Sequence, residues 1–293
     1  MLMSSDARTL MAQHAKTAQL LGVDFLPLGN APVIAEPQPV PTQEVVASSP
    51  PTAAEESAPS FASTPKPAPT SKPAPEMDID PIGSGELRAV YEVLDGQQAR
   101  LDALRAKYEL DAPHQHFNTQ FKNIVFGEGD PDADLMFIGE APGEDEDASG
   151  RPFAGRAGQL LENMIKAMGF SRETVYIANV LKTRPPGNAT PTGREAALCS
   201  PYLMEQIRIV SPKAIVTLGL PASQLLLEST SPMRSMRGHW HALPEALKAD
   251  GIPQVQVMPT YHPAYLLRSY TEDNRRKVWS DLTQVIDKLG ESS

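Results

Sequence analysis

The sequence has very little cysteine and no long apolar run. Cys199 is the single cysteine among 293 residues, and this excludes an intramolecular disulfide framework. No apolar stretch approaches the roughly 20 residues that a membrane-spanning helix requires. The N-terminal segment also lacks the basic and apolar regions of a secretory signal. We therefore expect a cytoplasmic protein with no membrane partner.

An excess of positive charge is also missing. The chain carries a formal net charge of -10. From Pro113 to the end there are 21 acidic and 18 basic residues, a net charge of -3. Many proteins that bind DNA without regard to its sequence present a strongly basic surface instead. Charge alone therefore gives no indication of DNA binding.

Proline is concentrated between residues 31 and 83, which hold 13 of the 29 prolines together with many Ala, Ser and Thr residues. Seven acidic and two basic residues in this stretch account for half of the net charge of -10. Large apolar side chains are few, so burial cannot offset the entropy that ordering would cost. We predict a disordered linker at 31–83.

The linker separates a short leader, residues 1–30, from a folded body. A short amphipathic helix is predicted in the leader from the helical spacing of Leu10, Met11, Ala15, Ala18 and Leu21. An isolated helix of this length is marginal in water, so it either binds a surface, on another protein or on the body, or frays. The body is predicted to span residues 84–293.

The body alternates short apolar runs with longer segments of helical spacing. An apolar stripe predicts a first helix at 85–108, bent near Gly96. The predicted buried strands are 134–139, 175–179, 213–219 and 255–260. The other predicted helices are 155–168, 194–210, 221–227 and 272–289. This alternation predicts an α/β fold whose parallel sheet is covered by helices on both faces.

Chemistry-bearing residues follow the predicted strands directly. Ligands of such sheets bind beyond the C-terminal ends of the strands. Those ends are followed here by the glycine-rich and acidic loop 139–143, by Asn179, by Gly219 and by the segment 261–263. Taken alone, the first loop is typical of any loop that handles phosphate.

Three sequence motifs, taken together, are more specific than that loop. They are GEAPGEDEDASGRPFAGRAGQLL at 139–161, NVLKTRPPGN at 179–188 and PTYHPAYLLR at 259–268. With VFGEG at 125–129 and the Arg237-Gly238 pair, they resemble family 4, thermostable-type uracil-DNA glycosylases in order and spacing. The resemblance implies a three-layer α/β/α sandwich around a four-stranded, mainly parallel sheet. It also implies a monofunctional base excision repair enzyme that removes uracil from DNA and leaves an abasic site.

Three residues match the base-recognition positions of that family. Phe153 resembles its stacking aromatic and offers a flat face to a pyrimidine. Asn179 carries donors and an acceptor that match uracil O4 and N3-H, whereas cytosine presents the reversed pattern. His262 resembles the histidine that stabilises the departing uracil anion at O2. A core phenylalanine and a histidine that merely packs are the structural alternatives.

Two glutamates resemble the family's carboxylates near the attacking water and the pyrimidine C5 edge, namely Glu140 and Glu146. One orients the water and the other excludes the thymine methyl group, and the sequence leaves open which does which. The position of the water-orienting aspartate in family 1 enzymes corresponds to Ala141. Gly139 and Ala141 are expected to line the substrate site.

DNA contacts are predicted in the loops around this site. A wedge that replaces the flipped base is expected in the segment 263–267, although its leucines are equally consistent with a core position. The predicted DNA-binding residues are Arg184, Arg237, Tyr265, Leu266 and Arg268, and Arg151 and Lys182 are further candidate cations.

The sequence departs from family 4 at the iron-sulfur ligands. Members of that family hold a [4Fe-4S] cluster with four cysteines, and the four positions here are Ala112, Gln115, Thr183 and Cys199. A single thiolate cannot hold such a cluster, so we predict no cluster and no metal. A zinc site formed by His114, His116 and Cys199 is the alternative.

Uracil-containing DNA is the expected partner, and the leader helix is a candidate contact for a repair protein. We expect a monomer, associated with the nucleoid of the cytoplasm. Two alternatives to uracil excision stay open at this stage. One is a catalytically silent DNA-binding or scaffold module of the same fold, and the other is a glycosylase with a shifted preference among deaminated bases.

Overall fold

The computed structural model describes residues 82–244 and 255–291, which belong to one compact unit. The predicted leader, and the predicted linker up to residue 81, lie outside the described residues. No helix in the described ranges is long and apolar enough to cross a membrane.

A six-stranded sheet with the order β1-β3-β2-β4-β6-β5 forms the centre of the body. Its strands are β1 (Glu128–Gly129), β2 (Leu135–Gly139), β3 (Tyr176–Asn179), β4 (Ala214–Leu218), β5 (His241–Ala242) and β6 (Gln256–Thr260). The four inner strands are parallel, whereas β1 and β5 are antiparallel edges of two residues each. The four predicted strands therefore form the parallel part of the sheet, and the predicted number of four strands omits the two short antiparallel edges.

Helices connect the strands. They are α1 (Ser84–Tyr91), α2 (Gln97–Asp111), α3 (Glu144–Ser149), α4 (Arg156–Ala167), α5 (Gly193–Val210), α6 (Leu220–Leu226), α7 (Met233–Met236), α8 (Pro263–Arg268) and α9 (Glu272–Gly290). Short 3₁₀ turns occupy Pro113–His116 and Pro186–Asn188. The helix predicted at 85–108 is divided into two, because α1 ends at Tyr91 and Gly96, with φ of 82°, is the N-cap at which α2 begins.

The two faces of the sheet bury two separate apolar clusters. Alternate strand residues face opposite sides, so Phe137 packs with α4, α8 and α9 while Met136 packs with α1, α2, α5 and α6. The inner strands are buried along almost their whole length, as expected when helices cover both faces. The body is thus a three-layer α/β/α sandwich, and this confirms the predicted fold class.

The short helices α3, α7 and α8 were not predicted. Each has only four to six residues, which is too short for an apolar period to be recognised. α3 and α8 lie in the loops that follow β2 and β6, so they set the shape of the edge where ligands bind in such folds.

Candidate active site

The loops after the parallel strands surround a cleft of about 1140 Å³. The register of the strands determines which residues meet at the floor of this cleft, because Gly139 of β2 lies directly opposite Asn179 of β3. On the other side, the Gly219 N-H donates to the Thr260 carbonyl at 2.9 Å, so the segment after β4 and the segment after β6 leave the sheet together. Residues far apart in sequence thereby meet at one edge.

Gly139 has no room for a side chain. A Cβ atom at this position would overlap Asn179 Oδ1 and would lie 2.5 Å from Cζ of Phe153. The backbone of β2 therefore approaches the side chains of Asn179 and Phe153 as only glycine allows. Gly139 shapes the floor by this close approach.

Asn179 points a polar group into the cleft, and this group makes no hydrogen bond to the described residues. The residue is 2% exposed, and its Oδ1 atom has no hydrogen-bond partner within the part of the chain that is described. A buried acceptor without a partner costs about 1–3 kcal/mol, and such groups call for an explanation such as a ligand. A ligand that offers an N-H group in the plane of this amide would remove that cost.

Lys182 holds the backbone of Asn179 from behind. Its Nζ donates to the Asn179 carbonyl at 2.7 Å and to Gln206 Oε1 at 2.5 Å, and it lies 5.3 Å from the centroid of the Phe126 ring. The side chain is completely buried, and this burial lowers the pKa of Lys182 to about 7. The prediction that Lys182 contacts phosphate is therefore wrong, because its ammonium group lies inside the core.

Phe153 forms a wall of the cleft in a left-handed conformation, with φ of 52°. Such a conformation is unfavourable for a bulky residue and persists only where neighbours hold it. Arg172 provides this support, since its guanidinium donates to the Phe153 carbonyl at 3.1 Å and to the Pro152 carbonyl. Sequence reasoning missed Arg172, because an isolated arginine 19 residues away carries no motif.

His262 lies beside this wall, with its ring centroid 5.6 Å from that of Phe153. Its Nδ1 accepts the N-H of Ala264 at 3.1 Å, so in the neutral ring the proton is on Nε2. Burial, with a smaller contribution from Arg268, lowers the pKa of His262 to about 4. The site thus presents a neutral imidazole with one N-H donor in its preferred tautomer.

The two glutamates have different environments. Both carboxylate oxygens of Glu146 are occupied, Oε2 by the Gly143 N-H at 2.9 Å and Oε1 by the N-H groups of Ala154 and Gly155 at 2.9 and 3.0 Å. Glu140 lines the same cleft, and burial raises its pKa above the ordinary value despite a hydrogen bond with Thr190. Glu146 thus braces the loop through backbone contacts, whereas the Glu140 side chain lines the cleft.

The rim of the cleft carries cations and exposed apolar side chains. Tyr265 and Arg268 line it as predicted, and so does Ala141. Arg156 and Arg234 line it as well, although the sequence analysis did not single them out. The start of a predicted helix beside the glycine-rich loop was an available signal for Arg156, whereas no motif marks Arg234.

Leu266 and Arg237 are placed differently from the prediction. Leu266 is 2% exposed and packs in the apolar cluster with α4 and α9, so it cannot be an exposed wedge. Arg237 forms an ion pair with the buried carboxylate of Asp281, which also accepts the Thr260 hydroxyl at 2.6 Å. Arg237 therefore braces the end of β6, next to His262, instead of facing outward.

The other two candidate cations are also paired. Arg184 donates to Asn188 Oδ1 at 2.8 Å and lies 3.5 Å from Glu144, in the loop that carries one wall of the cleft. Arg151 makes two contacts with Glu128, at 2.9 and 3.0 Å. Their roles as DNA contacts stay predictions.

The residues at the family's cluster positions do not fit an iron-sulfur cluster. Ala112 has no donor side chain, and burial raises the pKa of the Cys199 thiol to about 11, which disfavours the thiolate that iron requires. Aromatic rings pack in the same region: Tyr108 lies 4.9 Å from Tyr202 and 5.6 Å from His114 between ring centroids. The described region offers packed rings in place of ligands.

The alternative zinc site is not supported either. His114 is buried, and its ring centroid lies 4.7 Å from that of Phe121 in an edge-to-face contact. Residues 82–244 and 255–291 contain no group of three or more His, Cys, Asp or Glu side chains that could hold a metal ion. His114 acts as an aromatic packing residue.

Sheet, cleft and side chains define an α/β protein whose cleft combines aromatic walls with a buried amide oxygen. The family model described as "Uracil DNA glycosylase superfamily" matches residues 126–283. The chain belongs to the uracil DNA glycosylase superfamily.

Individual relatives refine this assignment. The type-4 uracil-DNA glycosylase of Thermotoga maritima is 43% identical over 164 residues, which cover 56% of this chain and 81% of the relative. The type-4 enzyme of Sulfurisphaera tokodaii is 44% identical over 172 residues, 57% and 75% of the two chains. A type-5 enzyme of Mycobacterium leprae is 33% identical over 159 residues, 48% and 67% of the two chains. The resemblance to the type-4 family is confirmed.

Proposed function

We propose that this protein is a uracil-DNA glycosylase of base excision repair, which hydrolyses the bond between uracil and deoxyribose and leaves an abasic site. The observation that carries the proposal is the buried Oδ1 of Asn179, which has no hydrogen-bond partner among the described residues, at the floor of a cleft walled by Phe153 and His262. Names of relatives agree with it, since the type-4 members are uracil-DNA glycosylases.

Recognition follows from the donor and acceptor pattern. A uracil turned out of the DNA stack lies against the face of Phe153, and Asn179 accepts from its N3-H while donating to O4. Cytosine presents an acceptor at N3 and a donor at N4, so the same amide meets it acceptor to acceptor and donor to donor. The close approach of Gly139 to both side chains holds this arrangement in place.

The bond-breaking step uses His262 and Glu140. As the bond from C1′ to N1 breaks, its electron pair moves onto uracil, and the Nε2-H of the neutral imidazole donates to O2, where the charge develops. Water then adds to C1′, and Glu140 orients it and accepts its proton. Glu146 keeps the loop that carries Glu140 attached to the N-terminus of α4.

The Glu140→Gln and Glu146→Gln variants separate these two roles. Glu140→Gln is expected to lower kcat about 100-fold and to leave stability unchanged or slightly raised, because burial already disfavours this carboxylate. Glu146→Gln is expected to lower the free energy of unfolding by about 1–3 kcal/mol, since a side-chain amide donor would face backbone N-H donors. Denaturant titrations measure the stability of each variant, and single-turnover assays measure its rate. A larger loss of stability in Glu140→Gln than in Glu146→Gln would contradict the assignment.

The activity itself is tested with three otherwise identical oligonucleotides that carry uracil, cytosine or thymine at one position. Alkaline cleavage after incubation reports abasic sites, and chromatography identifies the released base. We expect free uracil and cleavage of the uracil strand alone. Folded protein that releases no base from single- or double-stranded uracil DNA would instead favour a silent binding module, and release of another deaminated base would favour a shifted preference.

We also propose that the protein folds and acts without an iron-sulfur cluster. The support is the aromatic packing around Tyr108 and the buried, protonated Cys199. Protein purified with iron and sulfide present is expected to contain no iron, and chelator treatment should change neither its melting temperature nor its activity. Cys199→Ala should cost roughly 1 kcal/mol of stability and no activity. Iron at about four atoms per chain, with unfolding on its removal, would refute this proposal.

DNA is the partner that this function requires. The monomeric state, the nucleoid location and a repair-protein partner for residues 1–30 stay predictions.

A further inference from the structure

A second groove continues from the catalytic cleft. It has a volume of about 300 Å³ and is lined by Arg156, Gln159, Leu160, Asn163, Leu267 and Tyr270, which we name the flanking groove. Arg156 and Leu267 line both the cleft and this groove, so the two adjoin at these side chains. A strand whose uracil occupies the cleft therefore has a direct path into the flanking groove.

One wall of the flanking groove is a single face of α4. Arg156, Gln159, Leu160 and Asn163 are spaced three and four residues apart and lie on the same side of the helix. Leu160 is buried, whereas the arginine and the two amide side chains are exposed. The wall thus offers a cation for a phosphate and amides for the polar edge of a base.

The opposite wall consists of apolar side chains that are exposed to solvent. Tyr270 is 49% exposed and Leu267 is 38% exposed, and the nearby Tyr265 on the cleft rim is 37% exposed. Exposed large apolar side chains that cluster beside a site mark an interaction surface. The Arg275 guanidinium lies 4.7 Å from the centroid of the Tyr270 ring and adds positive charge to this wall.

We propose that the flanking groove binds a nucleotide next to the uracil in single-stranded DNA, with its base stacked on Tyr270 and its phosphate near Arg156. This inference rests on the proposed uracil excision activity. In a duplex the nucleotide next to the uracil is held in the helix by its own base pair, whereas in a single strand it can turn away from the strand axis and lay its base on an exposed tyrosine. The groove therefore favours single-stranded over double-stranded uracil DNA.

The test uses single-stranded oligonucleotides with one uracil and zero to four nucleotides on either side. Wild type is compared with Tyr270→Ala, with Tyr270→Phe, which keeps the ring, and with Leu110→Ala as a control at an exposed position outside both sites. For wild type, KM is expected to drop once the flank on one side reaches the groove. Tyr270→Ala should raise KM roughly tenfold for those longer substrates at unchanged kcat, and Tyr270→Phe should behave like wild type.

The shortest cleaved substrate separates failure of the groove from failure of the activity. Its kinetics should be identical in wild type and Tyr270→Ala, because it does not reach the groove. If Tyr270→Ala changes KM equally for all lengths, or for none, the groove proposal is wrong while uracil excision stands. If wild type cleaves no substrate, the activity itself is refuted.

Salt dependence and strand preference supply independent readouts. Arg156→Gln should reduce the slope of log KM against log salt by about one for longer single strands, as expected when one phosphate contact is lost. Tyr270→Ala should also narrow the preference for single-stranded over double-stranded uracil DNA. An unchanged preference together with an unchanged salt slope would overturn the proposal.

Discussion

Replacing Asn179 with alanine is expected to reduce uracil excision by roughly 10²- to 10⁴-fold, because two hydrogen bonds of about 1–3 kcal/mol each are lost in a buried site. The variant should still fold. In the wild type, the Oδ1 of Asn179 has no partner in the described residues, and Lys182 contacts the Asn179 backbone carbonyl, not the side chain. Single-turnover cleavage of a uracil oligonucleotide, with a melting curve of each variant, measures both quantities.

Asn179→Asp refines this test. A carboxyl group in a position that is 2% exposed tends to stay protonated. It then offers one donor and one acceptor, which match uracil or cytosine according to which oxygen carries the proton. We expect reduced uracil excision, because the ionised fraction has lost the donor to O4, and a low new activity on cytosine. Asn274→Ala, at the N-terminus of α9, is the control, and full uracil activity in Asn179→Ala would disprove the assignment of base recognition.

His262→Ala is expected to lower kcat by about 10²- to 10³-fold, the usual cost of removing one preorganised donor from developing negative charge. His262→Gln should recover part of this loss, because an amide N-H can reach the same region. His241→Ala removes a histidine whose Nε2-H donates to the Met236 carbonyl at 2.8 Å, and it serves as the matched control. Comparable rates in wild type and His262→Ala would exclude a catalytic role.

The pH dependence follows from the same histidine. An ordinary imidazole is half protonated near pH 6.5, but burial lowers the pKa of His262 to about 4. The wild-type rate should therefore show no decline that belongs to His262 between pH 8 and 5. A decline on the acid side that disappears in Glu140→Gln would belong to Glu140, whose pKa is raised by burial.

Stability should respond to the same shift. Because the folded imidazole has the lower pKa, its contribution is complete above pH 6.5 and is lost as pH falls toward 4, where only the unfolded chain readily takes up the proton. The free energy of unfolding of wild type should thus fall more steeply over this range than that of His262→Ala. Denaturant titrations at several pH values measure the difference.

Features that depend on local sequence were predicted correctly, whereas features that depend on distant contacts were not. The order of strands and helices followed from apolar periods that each segment carries by itself, and Asn179 could be assigned to the cleft because it ends a strand. The side chains whose roles were misjudged have distant partners. Arg237 pairs with a carboxylate 44 residues away, and Lys182 with Gln206 24 residues away. From the sequence alone, neither residue can be distinguished from a cation on the surface.

Distant contacts also distinguish neighbouring residues of one type that the sequence could not separate. Glu140 and Glu146 are close in sequence and of one residue type, yet only Glu146 has both oxygens occupied by backbone N-H groups. Leu266 and Leu267 are adjacent, but Leu266 is 2% exposed and Leu267 is 38% exposed. The reason is that α8 turns Leu266 toward α4 and Leu267 outward. No apolar period resolves a helix of six residues in advance.

The sequence by itself determined the α/β class and the family, and it proposed Phe153, Asn179 and His262 as recognition residues, since these depend on local periods and on motifs at fixed spacing. Tertiary structure alone decided which charges are buried, which glutamate has its oxygens occupied by backbone N-H groups and how packed rings occupy the region of the missing ligands. The physical reason is that burial, pKa and hydrogen-bond satisfaction are set by neighbours in space. Those neighbours come together only when the parallel strands align their C-terminal ends.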